Sequence, residues 1–284
     1  MRELIRLSVA HSPDADDAFM FYALSSEPPR IPTGRYRFEH VLADIETLNR
    51  AALEGRYAVS ALSFHAYAYV ADRYALLGAG ASMAEADYGP IVVATRPFEP
   101  DSLYGARIAV PGLWTSAYLA LRLRLPVFEP VVMPFDQILG AVARQEVPAG
   151  LIIHEGQLSY RRYGLYAVLN LGRWWYEQTG LPLPLGGNVV RRDLGPDVMR
   201  DVARLLRQSV LYALEHRREA LEYALRYARD LNPEEADRFV SMYVNRRTVD
   251  YGPEGRQAVQ RFLDRGYQAG WIPRKVTVDF VDAS

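Results

Sequence analysis

The chain has 284 residues, 50% of them apolar and 12% aromatic, with a net charge of -1. That length suits one large domain or two medium ones with a sizeable core, and the near-neutral charge offers no basic field for nucleic acid. The absence of cysteine excludes disulfides, thiolate nucleophiles, Cys-ligated zinc and Cys-held iron–sulfur clusters. The histidines, at 11, 40, 65, 154 and 216, show no metal-ligand spacing, so we expect no metal. The single lysine, Lys275, lies in the C-terminal tail, which argues against a Schiff base. No run approaches the ~18 apolar residues of a membrane helix, and the first ten residues hold no long apolar stretch of the secretory kind. We expect a soluble, cytoplasmic protein that leaves membranes and nucleic acid alone.

Residues 4–10 alternate through Ile5, Leu7 and Val9 and read as a strand. The polar turn His11-Ser12-Pro13-Asp14-Ala15-Asp16-Asp17 leads into the apolar helix of residues 18–24, with Ser12 or Asp14 as N-cap and acids in the first turn to suit the helix dipole. Residues 36–42 form a second strand. Asp44 caps a short helix that Gly55 stops. Residues 59–63 are a third strand, with Ala61, Leu62 and Ser63 at its carboxyl end, and a helix begins at His65. Residues 74–77 and 91–94 are further strands, separated by small residues, 78–81 and 84–89, that read as mobile. The stretch Arg96-Pro97-Phe98-Glu99-Pro100 reads as a crossing between domains.

The pattern then restarts. Residues 107–112 are a strand and turn, Thr115 and Ser116 open a helix, 127–133 are a strand and 135–142 a helix. Gly150-Leu151-Ile152-Ile153 is a buried strand that ends abruptly in His154-Glu155. This βαβαβ order predicts a parallel, doubly wound sheet. Ligands of such sheets lie beyond the carboxyl ends of the strands, which is where His154 stands. An unperturbed imidazole titrates near ~6.5, so His154 suits a general base. Glu155 is a candidate to orient it, although neighbouring strand side chains point to opposite faces. Residues 168–172 are a strand, and 174–180 a short aromatic helix that reads as core. Residues 181–188, ending in Gly186-Gly187-Asn188, read as a second crossing. From Asp197 onward the chain is helical, with Leu205, Leu206, Val210, Leu214 and Leu221 on one face. Two crossings give an α/β fold of two lobes around a ligand cleft, the architecture of periplasmic binding proteins. The first lobe takes residues 1–95 plus 188–284, and the second takes 96–187.

Five stretches, His11–Tyr22, Asp44–Asn49, Pro111-Gly112 with Thr115-Ser116, Gly150–Glu155 and Leu181–Gly186, stand in this order and in these contexts. Together they resemble the 1,4-dihydroxy-6-naphthoate synthase family of the futalosine route to menaquinone, over roughly residues 4–245. The resemblance implies a two-lobe fold like that of periplasmic binding proteins. It implies conversion of cyclic dehypoxanthinylfutalosine to 1,4-dihydroxy-6-naphthoate with release of a three-carbon fragment such as dihydroxyacetone, by a carbon–carbon lyase without cofactor. It places the family's base on His154 and its contacts to a small, carboxylate-bearing anion on Ala61, Leu62, Ser63, Thr115 and Ser116. Ser12, Asp14 and Asp17 are expected on the same wall. Some members of the family have Lys where this chain has Ala61. The carboxylate is then expected on helix N-terminal amides near Thr115 and Ser116, or on an arginine. Two competing readings are a chorismate dehydratase of the same two-lobe fold and a non-catalytic binder of small carboxylates. A base in the crevice separates the binder, and the Pro-Asp-x-Asp-Asp loop with His-Glu favours the synthase over the dehydratase.

Overall fold

The computed structural model describes residues 4–227 and 231–283. The chain opens with β1 (Ile5–His11), α1 (Ala15–Ser25), β2 (Tyr36–Leu42), α2 (Ile45–Leu53), β3 (Val59–Ser63) and α3 (Phe64–Val70). Asp44 caps α2 as expected, accepting the Glu46 and Thr47 N–H groups at 3.1 Å each. Every residue of β3 and of β4 (Tyr74–Leu77) is buried, as apolar runs are in the middle of a sheet covered on both faces. The small residues 78–81, expected to be mobile, are buried instead and lead into β5 (Ser82–Ala84). Small side chains here allow close packing; Gly80 N–H reaches Thr248 O at 2.7 Å and Gly80 O accepts from Asn188 Nδ2 at 3.1 Å.

The next elements are β6 (Ile91–Ala94), β7 (Arg107–Val110), α4 (Ser116–Arg124), β8 (Glu129–Val132), α5 (Phe135–Ala143), β9 (Ala149–Ile152), α6 (Gly156–Ser159), β10 (Tyr166–Asn170), α7 (Leu171–Thr179) and β11 (Leu183–Arg191). The remainder is helical: α8 (Pro196–Glu215), α9 (Arg217–Ala224), α10 (Pro233–Tyr243), α11 (Arg246–Val249) and α12 (Gly252–Gln268), closed by β12 (Phe280–Val281). Leu205, Leu206 and Val210 form the buried stripe of α8, as their spacing predicts. That stripe lies on α1, where Ser209 Oγ donates to Met20 O at 2.7 Å.

Two sheets result. The seven-stranded sheet runs β12-β4-β11-β3-β1-β2 with β5 on β11, and the five-stranded sheet runs β10-β6-β9-β7-β8. The parallel core expected for the middle section is present, since β7 pairs in parallel with both β8 and β9. Reversed strands interrupt it: β6 runs antiparallel to β9 and β10, and β11 runs antiparallel to β3 and β4. Sheet membership also differs at the edges from a 1–95 plus 188–284 and 96–187 division. Residues 91–94 pair in the second sheet, and Leu183–Gly187 already pair in the first. The Pro-rich stretch that reads as a crossing turns into a short 3-10 helix, Pro100–Leu103, after the chain has entered the second sheet. Proline marks a turn there but does not say which sheet follows.

One apolar cluster joins the sheets, including Leu62 and Leu76 from the first and Val92 and Ile108 from the second. Trp175 lies at 0% exposure within it, as core, its indole N–H donating to Pro182 O at 3.1 Å. Packing is close under β9. A Cβ on Gly150 would lie 2.4 Å from Ile138 Cγ2 and 2.8 Å from Val142 Cγ2, both on α5. Gly150→Ala therefore forces α5 away from the strand that leads to His154. We expect destabilisation of about 1–3 kcal/mol, read as a lowered Tm in thermal unfolding; an unchanged Tm would contradict this packing.

Candidate active site

The carboxyl ends of β1, β3, β7 and β9 converge on one cavity between the sheets. Ser12, Ser63, Thr115, Ser116 and His154 line it, each just beyond or at the start of the element after such a strand end. Because β11 is reversed, its Gly186-Gly187-Asn188 segment lies beside the same end of β3, in register with Ser63, Leu62 and Ala61. The space between the walls, counted with its opening to solvent, measures about 730 Å³. Met20, Ile45, Leu62, Ile153, Leu185 and Phe239 give it apolar walls.

Of the residues singled out in the sequence, Ser12, Asp17, Ala61, Leu62, Ser63, Thr115, Ser116 and His154 line the cavity. Asp14 does not; it is buried behind the wall at 1% exposure. Its Oδ2 lies 3.2 Å from His154 Nδ1. The backbone of His154 is left-handed, with φ of 54°, a conformation in which histidine is among the more tolerated residues. The strand stops at Ile152, and this turn swings the ring against Phe135, centroids 4.9 Å apart. Its Nε2 has no partner in the protein. Glu155, weighed as the group that orients the imidazole, is buried in the acidic cluster and lies outside the cavity lining.

Hydroxyls and amides divide their work. Thr115 Oγ1 accepts the Tyr118 N–H and donates to Gly112 O, both at 3.1 Å, so it is engaged as the N-cap of α4. Ser116 and Ala117, in the first turn of α4, line the cavity, and amides at a helix start have no intrahelical partner. Ser63 is held from behind by Asn49, which is fully buried; Ser63 N–H donates to Asn49 Oδ1 at 2.9 Å and Asn49 Nδ2 donates to Ser63 Oγ at 3.1 Å. Among the described residues, no Arg or Lys side chain lines the cavity. The described lining therefore offers no guanidinium or ammonium group to a ligand.

Sequence reasoning missed Asn188, Gln157, Tyr243 and Ser82, which also line the cavity. Asn188 stands directly across from Ala61 in the β11–β3 register; its Nδ2 donates to Gly80 O and its Oδ1 is buried without a partner. Only the pairing of a distant strand brings it there, so local pattern carried no signal for it.

Several contacts between described residues cross the cleft, an ion pair of Arg162 with Glu235 among them. Besides Asp14 with His154, the Trp114 N–H donates to Glu46 Oε2 at 3.2 Å, the His65 N–H to Ser116 Oγ at 3.3 Å, and Tyr243 Oη to Gln157 Oε1 at 2.8 Å. Gly112 makes room for the first of these, since a Cβ there would lie 2.2 Å from Glu46 Oε2.

Burial shifts the acids around α1 upward. Burial, reinforced by Asp17, Asp14 and Glu155, raises the Asp16 carboxyl well above its ordinary range. Burial raises Asp17 to about 6, opposed by the Ser12 N–H that it accepts at 2.8 Å. Burial, with Asp14 beside it and His154 opposing, raises Glu155 to about 7. Burial lowers His11, His40 and His65 to about 4, so all three are neutral near pH 7.

The Glu155 shift has a sign that thermal unfolding can read. Between its ordinary value of 4.5 and about 7, the folded protein keeps the proton and the unfolded chain releases it. This group's contribution to stability is thus full at low pH and is lost as the pH rises through about 7. Glu155→Gln removes the buried charge. Relative to the unaltered protein, we expect its Tm to be higher by at least about 2 °C more at about pH 8 than at about pH 5. An offset equal at both pH values would contradict the shift.

A family model described as menaquinone biosynthesis matches residues 7–268. Two relatives share most of their length with the chain. The 1,4-dihydroxy-6-naphthoate synthase of Thermus thermophilus is 47% identical over 257 residues, covering 90% of this chain and 92% of the relative. That of Streptomyces coelicolor is 37% identical over 273 residues, covering 94% and 95%. Among solved structures, a protein of Archaeoglobus fulgidus superposes with a TM-score of 0.89 at 49% identity, over 94% of this chain and 98% of the other. The alkanesulfonate-binding protein SsuA of Xanthomonas axonopodis pv. citri, bound to MOPS, superposes with a TM-score of 0.68 at 16% identity over 98% of both chains. That likeness shows the fold, which is that of periplasmic binding proteins.

Proposed function

The chain belongs to the menaquinone-biosynthesis family, and from that membership we propose that it is a carbon–carbon lyase acting on cyclic dehypoxanthinylfutalosine, with His154 as general base. The product is 1,4-dihydroxy-6-naphthoate, and the ribose-derived carbons leave as a three-carbon fragment such as dihydroxyacetone. The relatives named above as synthases support the product. The observation that carries the mechanism is His154 itself: its ring lines the cavity and its Nε2 has no partner in the protein.

The chemistry asked of the site is modest. A neutral imidazole takes a proton from the bound substrate. The electron pair left behind drives scission of the bond to the three-carbon unit, and the proton is returned to that leaving fragment. Negative charge that develops on oxygen is met by a hydroxyl of the lining such as Ser63, fixed in place by Asn49 before the reaction begins. Aromatisation of the second ring supplies the driving force, so the scission needs no electron donor or acceptor. The apolar walls suit the fused ring, and the α4 amides suit its carboxylate.

Turnover tests this reading. Purified protein incubated with cyclic dehypoxanthinylfutalosine should release dihydroxynaphthoate, followed by absorbance; no product under saturating substrate would overturn the assignment. His154→Asn removes the base while keeping a residue that tolerates the left-handed backbone. We expect kcat to fall by about 10²–10⁴-fold with little change in Tm. A variant that keeps most of its rate would show that another group takes the proton.

A further inference from the structure

Asp14 and His154 belong to different lobes. Asp14 sits in the turn between β1 and α1 of the first sheet, and His154 follows β9 of the second. They meet across the cleft with Oδ2 and Nδ1 3.2 Å apart. The side chain of Asp14 has a second choice and does not take it. Asp14 occupies the N-cap position of α1, yet makes no capping hydrogen bond. An aspartate at such a position ordinarily accepts an N–H of the first turn. At this helix start the free Ser12 N–H goes to Asp17 instead, at 2.8 Å. The carboxylate of Asp14 is turned away from the helix and toward the imidazole.

An imidazole has two nitrogens, and the partner of one decides the state of the other. A carboxylate on Nδ1 requires the proton there, which leaves Nε2 with its lone pair. Nε2 is the nitrogen without a partner, and a base needs that lone pair. The ring is also held by Phe135, and by a backbone turn that lifts it out of the strand.

We propose that Asp14 is a positioning residue: reaching across the cleft, it holds His154 as the Nδ1–H tautomer with Nε2 available to substrate, and it does so only when the two lobes are closed. The base is then assembled by closure, because neither lobe alone carries both groups. This rests on His154 being the base. The groups that face the pair are Asp17 and Glu155, with His11 and Asp16 nearby in the same cluster.

The test compares the unaltered protein with Asp14→Asn, both carrying ¹⁵N in the histidine rings and both saturated with 1,4-dihydroxy-6-naphthoate. In the unaltered protein, above neutral pH, the His154 signals should show a protonated Nδ1 and a bare Nε2. In the variant the amide can donate to Nδ1, so the proton should move to Nε2. With substrate, kcat should fall by at least about a hundredfold, with KM changed less than about threefold. A residue that only supports the fold would lower Tm without exchanging the tautomer or separating kcat from KM. An unaltered protein with its proton on Nε2, or a variant with unchanged kcat, would overturn the proposal. If the variant does not fold, the spectrum of the unaltered protein decides alone. Absence of turnover by the unaltered protein would remove the base assignment, while the tautomer would still report whether Asp14 orients the ring.

Discussion

The hydrogen bonds and close contacts that cross between the two sheets give the cavity its shape. Each sheet alone presents strand ends and helix starts to solvent. Brought together, they place Glu46 on the Trp114 amide, Ser116 on the His65 amide, Gln157 on Tyr243 and Asp14 on His154. Glu46 is buried, and burial raises its carboxyl above the ordinary value. Such a group costs stability unless its partner is in place. The cross-cleft partners are therefore a condition for the closed arrangement as well as a consequence of it.

The electrostatics of the α1 end explain how an acidic wall can stand beside a site for an anion. Asp16 and Asp17 line the cavity, and Glu155 lies just behind it. If all were ionised, they would repel a carboxylate. Burial and mutual repulsion raise Asp16 well above its ordinary range, Glu155 to about 7 and Asp17 to about 6, so the wall carries less negative charge near neutral pH than three ordinary carboxyls would. On the other side, α4 contributes amides whose partial positive charge needs no counter-charge to hold it. With no Arg or Lys among the lining residues described, this division between weakened acids and helix amides is what our reading of the substrate depends on.

Much of the fold was legible because it is local. The strands over 59–63, 74–77 and 91–94, and the caps at Asp44 and Thr115, stand where apolar runs and capping chemistry predict. His154 was legible for the same reason: an apolar strand that stops in a titratable residue aims it at the crevice. What local pattern could not supply was partnership over distance. Asp14 looked like a helix cap because its nearest neighbours in sequence are a helix start, but its partner lies 140 positions away. Asn188 looked like part of a linker because Gly186 and Gly187 precede it, yet it belongs to a strand inside the first sheet, across from Ala61. The reversed strand β6 has the same apolar character as its parallel neighbours, and strand direction is not written in composition.

The central claim is that the cavity between the sheets holds the substrate against His154. A crystal structure of the His154→Asn protein, soaked with cyclic dehypoxanthinylfutalosine, tests it most directly. The account predicts the substrate between the sheets, its carboxylate on the amides at the start of α4 and the carbon to be deprotonated facing residue 154. Substrate bound elsewhere, or in the cavity with that carbon turned toward α4 and its carboxylate toward Asp17, would contradict it.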